Sequence, residues 1–137
     1  MKTKWNNKMG SRSRKAIWFS RHAPTEDQLS EIAEMGYELG IEVGENLGST
    51  DIGSEGDLDK LLSALQAQAR QAGAAAVFGV YPVPLQACLY YGAKAGGGII
   101  CYGAWNVRRT VEGERPTFKH LKWCSVGALL PGGSCSQ

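Results

Sequence analysis

The sequence contains no long apolar run, although 43% of its 137 residues are hydrophobic. A helix that crosses a membrane needs about 20 consecutive apolar residues, so we expect no association with a membrane. The basic segment 1–15 lacks the apolar centre of a secretory signal, which favours a cytoplasmic location.

The four cysteines are not spaced as metal ligands, because no two of them form a C-x-x-C motif. Structural zinc sites usually take ligands at that spacing, so we expect no metal and no cofactor. In a reducing cytoplasm the cysteines are expected to carry free thiols rather than disulfides.

Acidic charge is missing over a long stretch, since no Asp or Glu occurs between Lys60 and Val111. A surface formed by this stretch would suit an anion. Segment 1–15 carries six Lys or Arg and no acid, which indicates a disordered, solubilising leader. A nucleic-acid-binding arm is the alternative for this leader, although we do not expect DNA as a partner.

The hydrophobic pattern predicts strands that alternate with helices. Short apolar or alternating runs predict four strands, at 16–19, 37–43, 74–82 and 96–105. Thr25 and Gln28 have the spacing of a capping box, which begins a helix that Gly36 ends. A second helix is predicted from Asp57 to Gly73, and a third has Pro84 in its first turn.

This alternation predicts a doubly wound α/β fold, a mainly parallel sheet with helices on both faces. Two strand-like arms around residues 112–114 add a hairpin-like arm at the C-terminal end. At 137 residues the chain has room for one core, and we place that domain at 16–130, after the leader 1–15 and before a frayed tail at 131–137.

Three predicted strands end in residues that suit a binding cleft, because ligands bind at the carboxyl ends of parallel strands. A helix N-terminus favours phosphate, Arg21 can bind it with two donors, and His22 can transfer a proton. Alternatively, Arg21 pairs with Glu26 or Asp27, and His22 only caps the turn. The other histidine, His120, is expected to be a strand residue with a satisfied side chain. The strand-end residues are Ser20, Arg21 and His22 on the first strand, Gly79, Tyr81 and Pro82 on the third, and Tyr102 to Asn106 on the fourth.

The segment FSRHAPT resembles the signature of the histidine phosphatases over about ten residues. This resemblance implies a phosphomonoesterase in which His22 forms the phosphohistidine and Arg21 binds the phosphate.

A longer resemblance, over about residues 16–106, is to a small family of CRISPR-associated ring nucleases. That family has a strand ending in Ser-Arg-His-Pro or Thr-Arg-His-Pro, and later a strand, Gly-x-x-Pro-Val, a short helix and Gly-Ala. Here these elements read WFSRHAP and VFGVYPVPLQACLYYGA, in the same order. In this chain Ala-Pro replaces the family's Pro-Gly after the histidine.

The second resemblance implies a Rossmann-like domain, related to those that sense cyclic oligoadenylate, which acts as a homodimer with the ring across its two-fold axis. The implied reaction is metal-independent cleavage, in which a ribose 2′-hydroxyl attacks the adjacent phosphate, and it would switch off type III CRISPR signalling. Cyclic tetra-adenylate is the expected ring. A sensor or sponge of the same fold, which binds the ring without cutting it, remains the alternative.

Under this resemblance each candidate residue has a hypothetical role. Arg21 binds the scissile phosphate, Ser20 and the amides near Pro24 and Thr25 cradle a phosphate, and His22 is a general acid or base or orients the ribose. The remaining candidates contact the ligand: Gly79 through its backbone, Tyr81 on a base or ribose, Asn106 on adenine or ribose, Arg108 at the charged rim, and Pro82 and Tyr102 at their strand ends.

Overall fold

The computed structural model describes residues 13–20, 23–40, 52–96 and 98–129. Within these ranges the chain forms five strands and three helices. In order they are β1 (Arg14–Phe19), α1 (Glu26–Glu34), β2 (Tyr37–Gly40), α2 (Glu55–Gln71), β3 (Ala74–Gly79), α3 (Val83–Lys94), β4 (Ile99–Arg109) and β5 (Thr117–Leu129).

The sheet has the strand order β2-β1-β3-β4-β5. The first four strands are parallel, and β5 runs antiparallel to β4. The predicted Rossmann-like α/β fold with a C-terminal antiparallel pair is therefore confirmed. No helix in the described part of the chain is long and apolar enough to cross a membrane.

The strands begin and end a few residues from the predicted positions, and β3 ends at Gly79 rather than at 82. β1 begins at Arg14, inside the segment predicted as leader, and β4 continues to Arg109 rather than ending at 105. Residues 1–12 and 130–137, and the glycine-rich stretch 41–51, lie outside the described residues.

Local chemistry explains where the helices begin and end. The Thr25 hydroxyl accepts a hydrogen bond from the Gln28 amide at 3.2 Å, and the Gln28 side chain accepts one from the Thr25 amide at 2.9 Å, which confirms the capping box. Gly36 and Gly73 follow α1 and α2 at φ angles of 92° and 66°, where an L side chain is disfavoured. Helix α2 begins earlier than predicted, because Ser54 rather than Asp57 is its N-cap.

The core divides between the two faces of the sheet, because successive side chains of a strand point to opposite faces. One face is covered by α2 and α3, and we call it the two-helix face. Its large buried residues are Ile17, Phe19, Leu61, Leu62, Leu65, Val77, Tyr81, Leu85, Leu89 and Leu129. The other face, the α1 face, is covered by α1 and buries Ala16, Trp18, Ile32, Tyr37, Ala76, Phe78 and Trp123.

Among the cysteines in the described ranges, Cys88 departs from the expectation of free thiols. Cys101 and Cys124 carry free thiols, whereas Cys88 is disulfide-bonded. Burial raises the pKa of the Cys101 thiol to about 12, because an apolar environment disfavours the thiolate.

Candidate active site

At the carboxyl edge of the parallel strands, the chain leaves β1 and β3 toward opposite faces of the sheet. The strand order makes β1 and β3 neighbours, and the helices that follow them, α1 and α3, cover opposite faces. This is the topological switch point at which ligands bind in doubly wound folds.

Gly79 closes the end of β3 against β1. A Cβ atom at this position would overlap the backbone carbonyl group of Phe19. The Val80 amide donates a hydrogen bond to the same carbonyl oxygen at 3.1 Å. Strand packing therefore requires a glycine here, quite apart from the predicted approach of a ligand to the backbone.

Tyr81 lies in the core of the two-helix face rather than in a cleft. Its side chain is buried, its ring stacks on Phe19 with centroids 5.4 Å apart, and its hydroxyl donates to the Val77 carbonyl at 2.9 Å. Burial, reinforced by the neighbouring Cys101 thiol, raises the pKa of Tyr81 well above its ordinary value. The Tyr81 phenol is therefore occupied within the core and does not face the surface at which a base or ribose was predicted to contact it.

Pro82 lies beyond the end of β3, as predicted, whereas Tyr102 lies inside β4, which continues to Arg109, so its prediction as a strand-end residue is wrong. Pro82 is the exposed N-cap of α3. Tyr102 is half-buried on the α1 face, where it stacks on Phe78 with centroids 4.8 Å apart. Burial raises the pKa of the neighbouring Tyr37 to about 12, and the interaction with Tyr102 adds to this increase. The guanidinium of Arg14, which lies over the Tyr37 ring, acts in the opposite direction.

The connection from β1 to α1 carries the remaining predicted residues. Ser20 is buried at the end of β1, and Pro24 is half-buried before the Thr25 cap. Arg21 and His22 lie outside the described residues.

The hairpin of β4 and β5 forms an arm beyond this edge. Pairing of β4 with β3 stops at Gly103, whereas pairing with β5 continues to Arg109. We call residues 104–109 and 117–123 the arm. Asn106 and Arg108 are exposed on it.

A pocket of about 330 Å³ lies between the start of α1 and the arm. It brings together two predicted site residues that are far apart in sequence, Thr25 and Asn106. Arg108 is not among the residues that line it. The pocket is lined by Thr25, Asp27, Gln28, Asn106, Lys119 and His120.

His120 is held in the wall of this pocket by α1. Its Nε2 atom lies 2.8 Å from Glu31 Oε1, and its side chain is 5% exposed. The second carboxylate oxygen of Glu31 accepts a hydrogen bond from the Trp123 amide at 3.1 Å. The Trp123 indole N–H donates to the Gln28 carbonyl at 3.2 Å, so three polar contacts fix the arm to α1.

The other ring nitrogen of His120 is unsatisfied. Nδ1 is buried and has no hydrogen-bond partner in the part of the chain that the structure describes. The expectation of a satisfied strand histidine is therefore wrong at this atom. Buried polar atoms without partners are rare in folded proteins and call for a physical explanation.

A β-bulge brings His120 to this position. Asn106 pairs with His120 and Trp105 pairs with Lys122, so Leu121 is the extra residue on β5. Side chains three residues apart on a regular strand point to opposite faces, whereas the bulge turns both His120 and Trp123 toward α1. Their ring centroids are 5.1 Å apart.

Sequence reasoning missed the pairing of His120 with Glu31, which lie 89 residues apart. Two signals were available in the sequence. His120 alternates with apolar residues on β5, and Glu31 lies beside the buried Gln28 and Ile32 of α1. Neither signal reveals the bulge on which the contact depends.

The described residues contain no group of three or more His, Cys, Asp or Glu side chains that could hold a metal ion. In comparisons with known proteins, no family model, no curated protein and no solved structure matches the chain.

Proposed function

We propose that this protein is a ring nuclease that binds cyclic oligoadenylate, with cyclic tetra-adenylate as its substrate, and cleaves it without a metal ion. In a cell it would switch off type III CRISPR signalling in the cytoplasm. The observation that carries the proposal is the polar pocket at the carboxyl edge of the sheet, between the start of α1 and the arm. The sequence segment that resembles the ring nucleases leads directly into this helix.

The proposed reaction joins the ribose O2′ atom to the adjacent phosphorus and breaks the bond from phosphorus to O5′. The products carry a 2′,3′-cyclic phosphate and a 5′-hydroxyl. Arg21 binds the phosphate and stabilises its developing negative charge, and Ser20 and the amides at the start of α1 cradle it. His22 orients the ribose or transfers a proton.

The lining of the pocket suits a nucleoside. The Asn106 side-chain amide has a donor and an acceptor, which match N7 and the amino group of adenine. Lys119 is exposed on the same wall and supplies positive charge for a phosphate. Asp27 works against an anion at this point, so we place the base or ribose rather than the phosphate beside it.

The proposed ring nuclease acts as a homodimer, because the ring would lie across a two-fold axis. Exposed apolar side chains on α3 are available for such contacts, at 77% exposure for Val83 and 56% for Tyr90. They line a groove of about 490 Å³ together with Tyr91 and Val126. Apolar surface of this kind is common where proteins associate.

The experiment that tests the proposal is incubation of the protein with cyclic tetra-adenylate in EDTA, followed by chromatography of the products. We expect multiple-turnover conversion to linear products with 2′,3′-cyclic phosphate ends, by a dimer in light scattering. Arg21→Ala should reduce the rate at least about 100-fold. Arg70→Ala is the matched control, because Arg70 is exposed in the last turn of α2, at the opposite edge of the sheet.

Two other outcomes would reject this proposal in favour of another function. Intact rings that co-elute with the protein, at one ring per dimer, would indicate a sensor or sponge. Failure to bind the ring, together with release of phosphate from monoesters and a phosphohistidine at His22, would indicate a phosphatase.

A further inference from the structure

We propose that the arm binds single-stranded nucleic acid, with Trp105 as the platform on which an unpaired base stacks and with Arg109 and Lys122 as donors to the phosphates. The binding surface is the side of the arm that points away from the pocket. We call it the open face, and it consists of Trp105, Val107, Arg109, Thr117 and Lys122. This inference goes beyond the proposed function and does not depend on it.

The alternation of side chains along β4 separates the open face from the pocket. Both irregularities in the pairing of β4 with β5 place their extra residue on β5, so the alternation along β4 is uninterrupted. Tyr102 packs on the α1 face, and Asn106 lines the pocket. Trp105 and Arg109 therefore point to the opposite side. Lys122 shares that side, because it pairs directly with Trp105.

The open face is uncovered within the part of the chain that the structure describes. Trp105 is 53% exposed, and the other members of the face are exposed as well. Pairing of β4 with β3 ends at Gly103, so this face extends beyond the parallel part of the sheet. Tryptophan is largely buried in most folded proteins and is enriched at binding surfaces. Its exposure here indicates a contact with a partner.

The charge of the arm indicates that this partner is an anion. Segments 104–109 and 117–123 contain four Lys or Arg and no Asp or Glu. Neither Arg109 nor Lys122 forms an ion pair with another described residue, so both charges are available. The acids Glu112 and Glu114 lie in the turn at the tip of the arm. An anion is therefore favoured along the strands rather than at the tip.

The combination of an exposed ring with separated cations favours a single strand among anionic partners. Arg109 lies four residues from Trp105 along β4, about 14 Å, so a phosphate chain can contact Arg109 and Lys122 while one base stacks on the indole. In a duplex the base faces are stacked on each other and are not available to the ring. Val107 and Thr117 are too small to supply the apolar area that holds a protein on a lipid surface.

Fluorescence anisotropy with a labelled oligouridylate of about 12 nucleotides tests this binding on the full chain. Oligouridylate lacks the adenine that the pocket is proposed to bind. Trp105→Ala should weaken binding about 5- to 150-fold, and Trp105→Phe, which keeps an aromatic ring, should weaken it much less. Oligothymidylate should bind like oligouridylate, because neither contact involves the sugar, and a duplex should bind more weakly. Thermal unfolding establishes that each variant is folded.

The salt dependence of binding tests the cations separately. Lys122→Gln should reduce the slope of log K against log salt concentration by about 0.7, because one phosphate contact with its released counterion is lost. Lys60→Gln is the matched control, since Lys60 is exposed on α2 rather than on the arm, and it should leave the slope unchanged. Lys119 pairs with Val107 but also lines the pocket, so its substitution would not test the open face alone.

Two outcomes would overturn the inference. Wild-type affinity for oligouridylate in Trp105→Ala would assign the binding to another part of the chain, such as the basic segment 1–15. Binding to phosphatidylserine vesicles that requires Trp105, without binding to oligouridylate, would make the open face a membrane-binding surface. Cleavage of cyclic tetra-adenylate should be equal in the wild type and Trp105→Ala, because the pocket lies on the other side of the arm. Failure of either proposal therefore leaves the other standing.

Discussion

The two faces of the sheet are covered and packed in different ways. The two-helix face is covered by the 17-residue α2 and the 12-residue α3. Its core is mostly aliphatic, and leucines from both helices lie against β1 and β3. The α1 face is covered by one helix of nine residues, and its core is mostly aromatic.

The aromatic rings of the α1 face make up for the shorter helix. Phe78 contacts Tyr37, Tyr102 and Trp123 at centroid distances between 4.8 and 5.3 Å. Large rings bury much area per residue, and edge-to-face pairs add to their attraction. The strands therefore supply the packing that a second helix supplies on the other side.

The candidate site lies on the α1 face, whereas the two-helix face contributes to stability through its aliphatic core. Helix α1 is too short to cover the arm completely, and the space between them is the polar pocket. The hydrogen bonds that join the arm to α1 come from His120, Glu31, Trp123 and Gln28. The two-helix face is thus built on aliphatic burial, whereas the α1 face combines aromatic packing with groups that can do chemistry.

Truncation of one large core residue on each face should have the largest effect. Phe78→Ala is expected to reduce the free energy of unfolding by about 3–5 kcal/mol, and Leu65→Ala by about 2–5 kcal/mol, because each removes a fully buried side chain. Urea denaturation measures both. Only Phe78→Ala should also weaken ring binding under conditions where the variants are folded, since Phe78 supports Trp123. Equal losses of binding in both variants would contradict the division between the faces.

Gly127 offers a smaller change on the two-helix face. A Cβ atom at Gly127 would overlap the backbone of Leu89 in α3, so Gly127→Ala must push α3 away from β5. We expect a loss of roughly 3 kcal/mol, at the upper end for overpacked sites. Gly98→Ala is the control, because its Cβ would meet only the Leu129 carbonyl oxygen, at 3.7 Å. A Gly127→Ala protein as stable as the control would show that α3 moves freely.

Sequence reasoning succeeded where the signal was local. The Thr25–Gln28 capping box, the helix-ending Gly36 and Gly73 and the turn at Gly113 each depend on a few neighbouring residues. Buried strands were also recognisable from continuous apolar runs, which gave the order of elements and hence the fold.

Sequence reasoning failed where the position of a side chain depends on residues distant in sequence or on the register of paired strands. Tyr81 follows β3 like a cleft residue, yet its phenol turns into the core because the Val77 carbonyl and the Phe19 ring receive it. The site at His120 needs a bulge at Leu121 and a partner on α1, and no pattern within β5 encodes either. Of the residues that line the pocket beside the arm, the sequence analysis therefore named only Thr25 and Asn106 as candidates for ligand binding.

High pH provides the mildest way to test the two faces, because Cys101 on the two-helix face and Tyr37 on the α1 face are both buried weak acids. Burial raises the pKa of Cys101 on the two-helix face from 9.0 to about 12, and burial with Tyr102 raises that of Tyr37 on the α1 face from 10.0 to about 12. The folded state binds more protons than the unfolded state between these values, so stability falls as pH rises. The contribution of Cys101 is complete below pH 9 and that of Tyr37 below pH 10, and both are lost as pH approaches 12.

Each group should lower the free energy of unfolding by about 1.4 kcal/mol per pH unit within its window. Urea denaturation between pH 8 and pH 11, in steps of about half a unit, measures the slope. Cys101→Ala should flatten the curve from pH 9, and Tyr37→Phe only from pH 10, because the unfolded thiol ionises before the unfolded phenol. If Tyr37→Phe declined as steeply as the wild type above pH 10, the phenol of the α1 face would ionise as readily in the fold as outside it, and the aromatic packing would be looser than that of the aliphatic face.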